Sequence, residues 1–273
     1  MTLKKSNQLC IFILLILLSL KGFSFQPITV PFSRADSLLA DSVLSMALRN
    51  EALYSLQGDL KPISTVYQFS MQLDSITLLP TDSSDFNRFR DLQRIANWLS
   101  NEEFCFVVIP FTRLFSHQRT MQMLVVNREK LARELEVRKD FWFFWGLVPE
   151  SSPEVVITVI ENAEKYRRFE GYGYLFGYPQ YAVDFFVEAA RSQDDTGEFV
   201  HRSFFQMPVY SGQDGRFVYA VPENEPPGTE DLTIRKEAEH ILNSFIMTFE
   251  PFKIQNPDLP FLNWYLNQQA TNN

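Results

Sequence analysis

The chain contains three histidines, His117, His201 and His240, so an imidazole-based proton shuttle or metal ligand must draw on one of them. Glu237 and His240 form an E-x-x-H pair, a spacing that on a helix lets both side chains reach a single ion. A bundle metal site needs two such helical pairs and further glutamates. Arg235, Lys236 and Glu239 instead flank this pair as a solvated helix face would. His201 lies on a strand-like stretch whose alternation places it on one face with Ser203 and Phe205. A hydrolase would have to assemble His201 with a distant carboxylate such as Glu170 or Asp184, because no adjacent residues form a nucleophile motif.

The densest cluster of special residue types is Gly171-Tyr-Gly-Tyr-Leu-Phe-Gly177, followed by Tyr178, Pro179 and Tyr181. Tyr172, Tyr174, Tyr178 and Tyr181 carry apolar ring faces with polar tips, and the glycines permit close backbone approach. This composition suits a ligand cleft or a partner surface. It also suits a tight connection between helices wedged into a core, the commoner use of aromatic residues. Its glycine spacing is not the dinucleotide fingerprint, and no phosphate-cradling loop, nucleophile elbow, zinc-protease motif or C-x-x-C occurs. No cofactor is therefore expected.

Charge narrows the classes further. With 25 Lys+Arg against 33 Asp+Glu, the formal charge is −8, which argues against a nucleic-acid groove. The chain is 45% apolar and holds 26 Phe, 10 Tyr and 4 Trp, enough to build a core. Five aromatics in succession, Phe141 to Trp145, cannot all point one way on a helix, so burial on several sides or an interface is expected.

The elements that must position these residues follow from periodicity. Ser33 caps a helix running to about Gln57 with a break at Arg49-Asn50, and Ile63 to Leu73 alternates as a strand. A second helix opens at Ser84, with Phe86, Phe89, Leu92, Ile95, Ala96 and Leu99 on its apolar face. Phe104–Phe111 and Thr120–Val126 read as neighbouring strands, with the lone mature cysteine, Cys105, as a buried thiol. The helix from Arg128 pairs Glu129 with Arg133 and Glu134 with Arg138, which predicts a wet outer face. Ser152-Pro153-Glu154 starts another helix, with Val155, Val156, Val159 and Ile160 inward. Pro179 starts the next, Phe199–Tyr210 and Arg216–Val221 form a hairpin, and Thr229 caps the last long helix.

The N-terminus has the order of a secretory signal. Lys4 and Lys5 precede an apolar run from Leu9 to Leu20, and Gly22 and Ser24 stand at −3 and −1 of a cut before Phe25. An uncleaved anchor over residues 9–25 is the alternative, at the short limit for a membrane span.

The expected product is one α+β domain over residues 25–273, several helices packed on a small, mainly antiparallel sheet, with a division near residue 150 as the alternative. Its expected role is that of an exported, secreted or periplasmic, non-catalytic protein binding a protein partner or an apolar small molecule through aromatic residues. Membrane contact is expected only through residues 9–25. The alternatives are the dispersed hydrolase and a metal site at Glu237 and His240. If the leader is a cleaved signal, protein recovered after secretion should begin at Phe25 by N-terminal sequencing. Recovery of the intact leader would refute cleavage.

Overall fold

Cys105, Val107 and Ile109 face one way from their strand, while Phe104, Phe106 and Val108 face the other, and all six are buried. A strand covered on both faces loses its polar alternation, which is why this stretch reads as an unbroken apolar run. In the computed structural model, which describes residues 33–271, it is β2 (Phe104–Pro110). It pairs antiparallel with β3 (Gln118–Asn127), which pairs on its other side with β1 (Ile63–Gln72). The sheet order is β1-β3-β2, with β3 central.

The N-terminal helix α1 (Arg34–Arg49) and the short α2 (Leu53–Leu56) reproduce the expected break at Asn50. Helix α3 (Ser83–Leu99) begins one residue before the expected start, because the Asp82 side chain accepts a 2.8 Å bond from the Ser84 amide as N-cap. Its inner stripe is Leu92, Ile95, Ala96 and Leu99. Phe86, expected on that stripe, is 61% exposed, and the buried positions begin at Leu92.

Helix α4 (Arg128–Val137) leads into α5 (Lys139–Trp142) and a 3-10 turn, Phe143–Trp145. Both expected ion pairs form, Arg133 with Glu129 at 2.7 Å and Arg138 with Glu134 at 2.5 Å. The wet face holds only for the first. Glu134 is buried and accepts a 3.2 Å bond from the Trp142 indole, and burial pushes its pKa up to about 7 against the pull of Arg138. The aromatic run divides as five successive rings must: Trp142 is wholly buried, and Phe143 and Phe144 are exposed.

Helix α6 (Pro153–Glu161) buries Val156, Ile157 and Ile160 and exposes Val155, a rotation of the expected stripe by about one residue. Helix α7 (Lys165–Leu175) contains the glycine-tyrosine stretch, which the sequence reading treats as a connection. Helix α8 (Gln180–Thr196) follows Pro179 as expected. Strands β4 (Arg202–Gln206) and β5 (Val218–Pro222) form the expected antiparallel hairpin. Helix α9 (Thr229–Gln255) continues through Pro251, and α10 (Pro260–Thr271) closes the chain with Tyr265 against Phe104 and Phe106.

One face of the sheet, through Ile63, Val107, Leu124 and Val126, joins Leu131, Trp142, Ile160, Leu175 and Val183 in a continuous core. Residues on both sides of position 150 share it, and the chain from Arg34 onward clusters as one compact unit, a single α+β domain. The signal and anchor readings of residues 1–24 and 9–25 fall outside the described residues. Among the described residues no helix is long and apolar enough to cross a membrane, so the expected membrane contact finds no support in them.

Gly177 fixes how α7 meets the sheet. Its φ of +72° is the left-handed conformation, and an added Cβ would stand 2.2 Å from the Leu60 carbonyl oxygen. Only glycine lets the two backbones approach this closely. Gly212 has a similar φ of +67° but open space around it. Gly177→Ala should therefore cost about 3 kcal/mol or more, and Gly212→Ala only about 1 kcal/mol, in urea denaturation. Equal losses would show that the backbone approach is not the constraint.

Candidate functional site

Two glycines give α7 its two-sided character. A Cβ on Gly171 would lie 2.7 Å from Ile160 Cδ1, and one on Gly173 would lie 2.6 Å from Val183 Cγ2. The helix therefore packs onto α6 at Gly171 and, on another side, onto α8 at Gly173, both at near-backbone distance. Tyr172 and Phe176, four residues apart, lie on another side, with ring centroids 5.6 Å apart and planes 17° from parallel. Phe176 also meets Tyr178 at 5.8 Å, and Tyr178 meets Tyr219 of β5 at 5.5 Å. Helix, turn and hairpin thus contribute to one aromatic wall.

A buried cation anchors that wall. Lys61, on the connection into β1, has a fully buried side chain, and its Nζ donates a 2.5 Å bond to Glu51 Oε2 between α1 and α2. The Nζ stands 4.3 Å from the centroid of Phe217, 5.1 Å from Phe176 and 5.5 Å from Tyr178. Ring faces carry negative quadrupole charge, so these contacts replace part of the lost hydration. Burial nevertheless lowers the Lys61 pKa, with Glu51 pulling the other way.

In front of the wall lies a cleft of about 530 Å3. Tyr172, Phe176 and Tyr178 line it with Phe111 and Phe169, and β1 contributes Thr65 and Gln68. Those two positions would point to opposite faces of a regular strand. A bulge between Thr65 and Tyr67 inserts one extra residue and brings both to the cleft. On the far side of the same four rings, Phe169, Tyr172, Phe176 and Tyr178, a second and more apolar cavity of about 270 Å3 extends toward β5 and α8.

The cleft's polar groups are wired to one another. The Tyr172 hydroxyl donates to Glu161 Oε2 at 2.7 Å, and the Thr112 amide donates to Glu161 Oε1 at 2.7 Å. The Tyr172 oxygen in turn accepts a long 3.4 Å bond from Gln122. Glu161 is buried in the last turn of α6, where the helix dipole disfavours an anion, so these donors hold its charge in place. Burial, reinforced by Glu161, raises the Tyr172 pKa far above that of an ordinary phenol. Arg113 and Arg168 complete the lining; neither guanidinium makes an ion pair or hydrogen bond among the described residues, and that of Arg168 lies 5.9 Å from the centroid of the Phe169 ring.

Of the four tyrosines singled out from sequence, Tyr172 and Tyr178 reach the cleft. Tyr174 is buried in the core beside Trp142, with its hydroxyl 3.1 Å from Glu170. Tyr181 turns away, and its hydroxyl donates to the buried Asp231, which also accepts from Tyr219 at 2.5 Å. The glycines and Tyr174 therefore pack the core, and Tyr172 and Tyr178 face a cavity.

His201, Glu170 and Asp184 are not brought together. His201 is exposed with its ring edge on Phe199, Glu170 engages Arg167 and Tyr174, and Asp184 accepts from Gln180 at 2.8 Å. None of the three lines the cleft. Glu237 and His240 lie exposed on α9, and a second E-x-x-H, Glu198–His201, lies outside any helix. Among the described residues no group of three or more His, Cys, Asp or Glu side chains is placed to hold a metal, which corrects the metal-site reading. Cys105 is buried and free, and burial together with Glu154 raises its pKa to about 12, so it is an inert thiol.

Glu51, Lys61, Glu161 and Arg113 were not singled out from sequence, whereas Arg168 stands with Arg167 and Glu170 as charge beside the glycine-tyrosine stretch. Glu51 and Lys61 lie ten residues apart and Glu161 meets Thr112 across 49, and no local spacing marks these pairs. Comparison of the chain with protein-family models, curated proteins and solved structures finds no match in any of the three. Function has to be argued from the site itself.

The buried pair makes an asymmetric prediction. Glu51→Gln strands an ammonium in the interior and should cost about 3–5 kcal/mol. Lys61→Met keeps the apolar stem, and the Glu51 it leaves behind retains 16% exposure to water, so its cost should stay below about 1.5 kcal/mol. Urea denaturation of both variants at neutral pH checks the difference, and equal losses would count against an ionised Lys61.

Proposed function

We propose that the protein is a non-catalytic binding protein on the secretory route, which holds a small molecule with an apolar body against the Tyr172–Phe176–Tyr178 wall. The observation that carries this reading is the cleft itself. Its volume of about 530 Å3 falls within the roughly 300–1,000 Å3 typical of small-molecule sites. Its rings are held by packing rather than left to find their places. Phe176 and Tyr178 are pinned over Lys61, and Tyr172 is tied to Glu161. A wall already ordered loses little side-chain entropy when a ligand docks.

The polar groups support binding over catalysis. Glu161 spends both oxygens on internal donors, Lys61 is sealed behind the rings, and no histidine lines the cleft. A general acid or base needs a free proton-transfer position beside a substrate, and these groups lack one. The export half of the proposal is supported by the basic-then-apolar order of residues 4–24.

N-phenyl-1-naphthylamine, an uncharged fluorescent aromatic, tests the cleft. Titration should show saturable binding with a blue-shifted emission. Gln68 is exposed on the cleft wall, so Gln68→Trp fills the space without burying a polar group and should weaken binding about tenfold or more, ~1.4 kcal/mol. Absence of saturable binding, or binding untouched by this substitution, would exclude the cleft.

A further inference from the structure

The cleft's charges do not cancel, and the imbalance specifies a ligand. Arg113 and Arg168 line the cleft with Glu51 and Glu161, and Lys61, buried behind the rings, answers Glu51, so two guanidiniums face the single remaining carboxylate of Glu161 in a chain whose formal charge is −8. The surplus is also spatially distinct. Lys61 is committed to Glu51, and Glu161 is committed to Tyr172 and the Thr112 amide. Both guanidiniums remain without a carboxylate partner. Asp194, whose charge Arg113 senses at longer range, is already taken by Lys165 and the Tyr166 hydroxyl.

In the neighbouring depression lined by Lys130, Arg133 and Arg138 the cations are neutralised: Lys130 pairs with Asp59, Arg133 with Glu129 and Arg138 with Glu134. The cleft differs from that depression in holding two guanidiniums without a carboxylate beside its aromatic wall. A planar guanidinium presents its donors in a fork that matches the oxygens of a carboxylate, sulfonate or phosphate.

Taking the binding function proposed above as its premise, we infer that the cleft selects an amphipathic anion, with its head group at Arg113 and Arg168 and its aromatic or apolar body on the Tyr172 and Phe176 rings. A neutral ligand leaves both guanidiniums unused. A cationic one meets them as like charges.

Two probes with the same body separate this inference from its premise. 1-Anilinonaphthalene-8-sulfonate is N-phenyl-1-naphthylamine bearing a sulfonate. At low ionic strength the sulfonate should bind about tenfold tighter than the neutral compound. The Arg113→Gln/Arg168→Gln double variant should erase that preference, so that the two probes then bind it with about equal affinity. Added salt should narrow the preference in the native protein. Because neither guanidinium makes an ion pair or hydrogen bond among the described residues, and Arg168 only approaches the Phe169 ring at 5.9 Å, the variant should melt close to the native protein, and circular dichroism confirms that the comparison is between folded molecules. If the neutral probe binds and Gln68→Trp blocks it, but the sulfonate gains nothing or its gain survives loss of both arginines, the anion inference falls and the cleft stands. If neither probe saturates, both fall.

Discussion

The Lys61 ammonium is the constraint around which the rest is arranged. Taking such a charge out of water costs several kcal/mol even after the protein relaxes. Glu51 and the rings of Phe176, Tyr178 and Phe217 are what the fold supplies in return. These partners come from the break between α1 and α2, the end of α7, the turn after it, and the loop before β5. One buried charge therefore ties the N-terminal helices, the sheet, the glycine-rich helix and the hairpin together. Domains are marginally stable, by roughly 5–15 kcal/mol, so a single interaction of this size is a substantial share of the total.

The cleft follows from the same arrangement. Gly177 lets α7 reach the Leu60 carbonyl, and this approach carries Phe176 and Tyr178 over Lys61. Gly171 and Gly173 seat the helix on Ile160 and Val183 and leave Tyr172 turned toward β1. The bulge in β1 presents Thr65 and Gln68 as the facing wall. Stability and binding surface thus use the same rings. Phe176 contacts the buried ammonium and the Tyr172 ring and also lines the cavity.

Local patterns made much of the scaffold legible. The break at Asn50, the paired strands around Val107 and Leu124, the helix after Pro179 and the hairpin ending near Val221 each depend on caps, turns and periodicity within a few residues. Errors occur where a neighbour decided. Glu134 looks like half of a surface ion pair until Trp142 folds over it. Phe86 fits an apolar stripe, but it stays exposed beneath the Arg90 guanidinium rather than entering the core. The stretch around Gly171 and Gly173 has poor helical propensity, and it is helical because only glycine allows the close packing on either side. The cleft was half visible, through Tyr172 and Tyr178. Its charged residues other than Arg168 were hidden because each is ordinary in its own segment.

Composition and short-range order were enough to specify an acidic, aromatic-rich α+β domain without a standard catalytic motif. Those properties depend on residue type and on spacings of two to four positions, which a linear chain displays directly. Which lysine is sealed from water, which carboxylate has its charge already answered and which arginines are left over depend on groups far apart in the chain. Glu51 meets Lys61 ten residues on, Thr112 meets Glu161 forty-nine residues on, and Tyr172 and Arg113 come to one cleft only when the sheet and α7 have packed. Electrostatic energy depends on distance in space and on exclusion of solvent, and both are set by the folded chain.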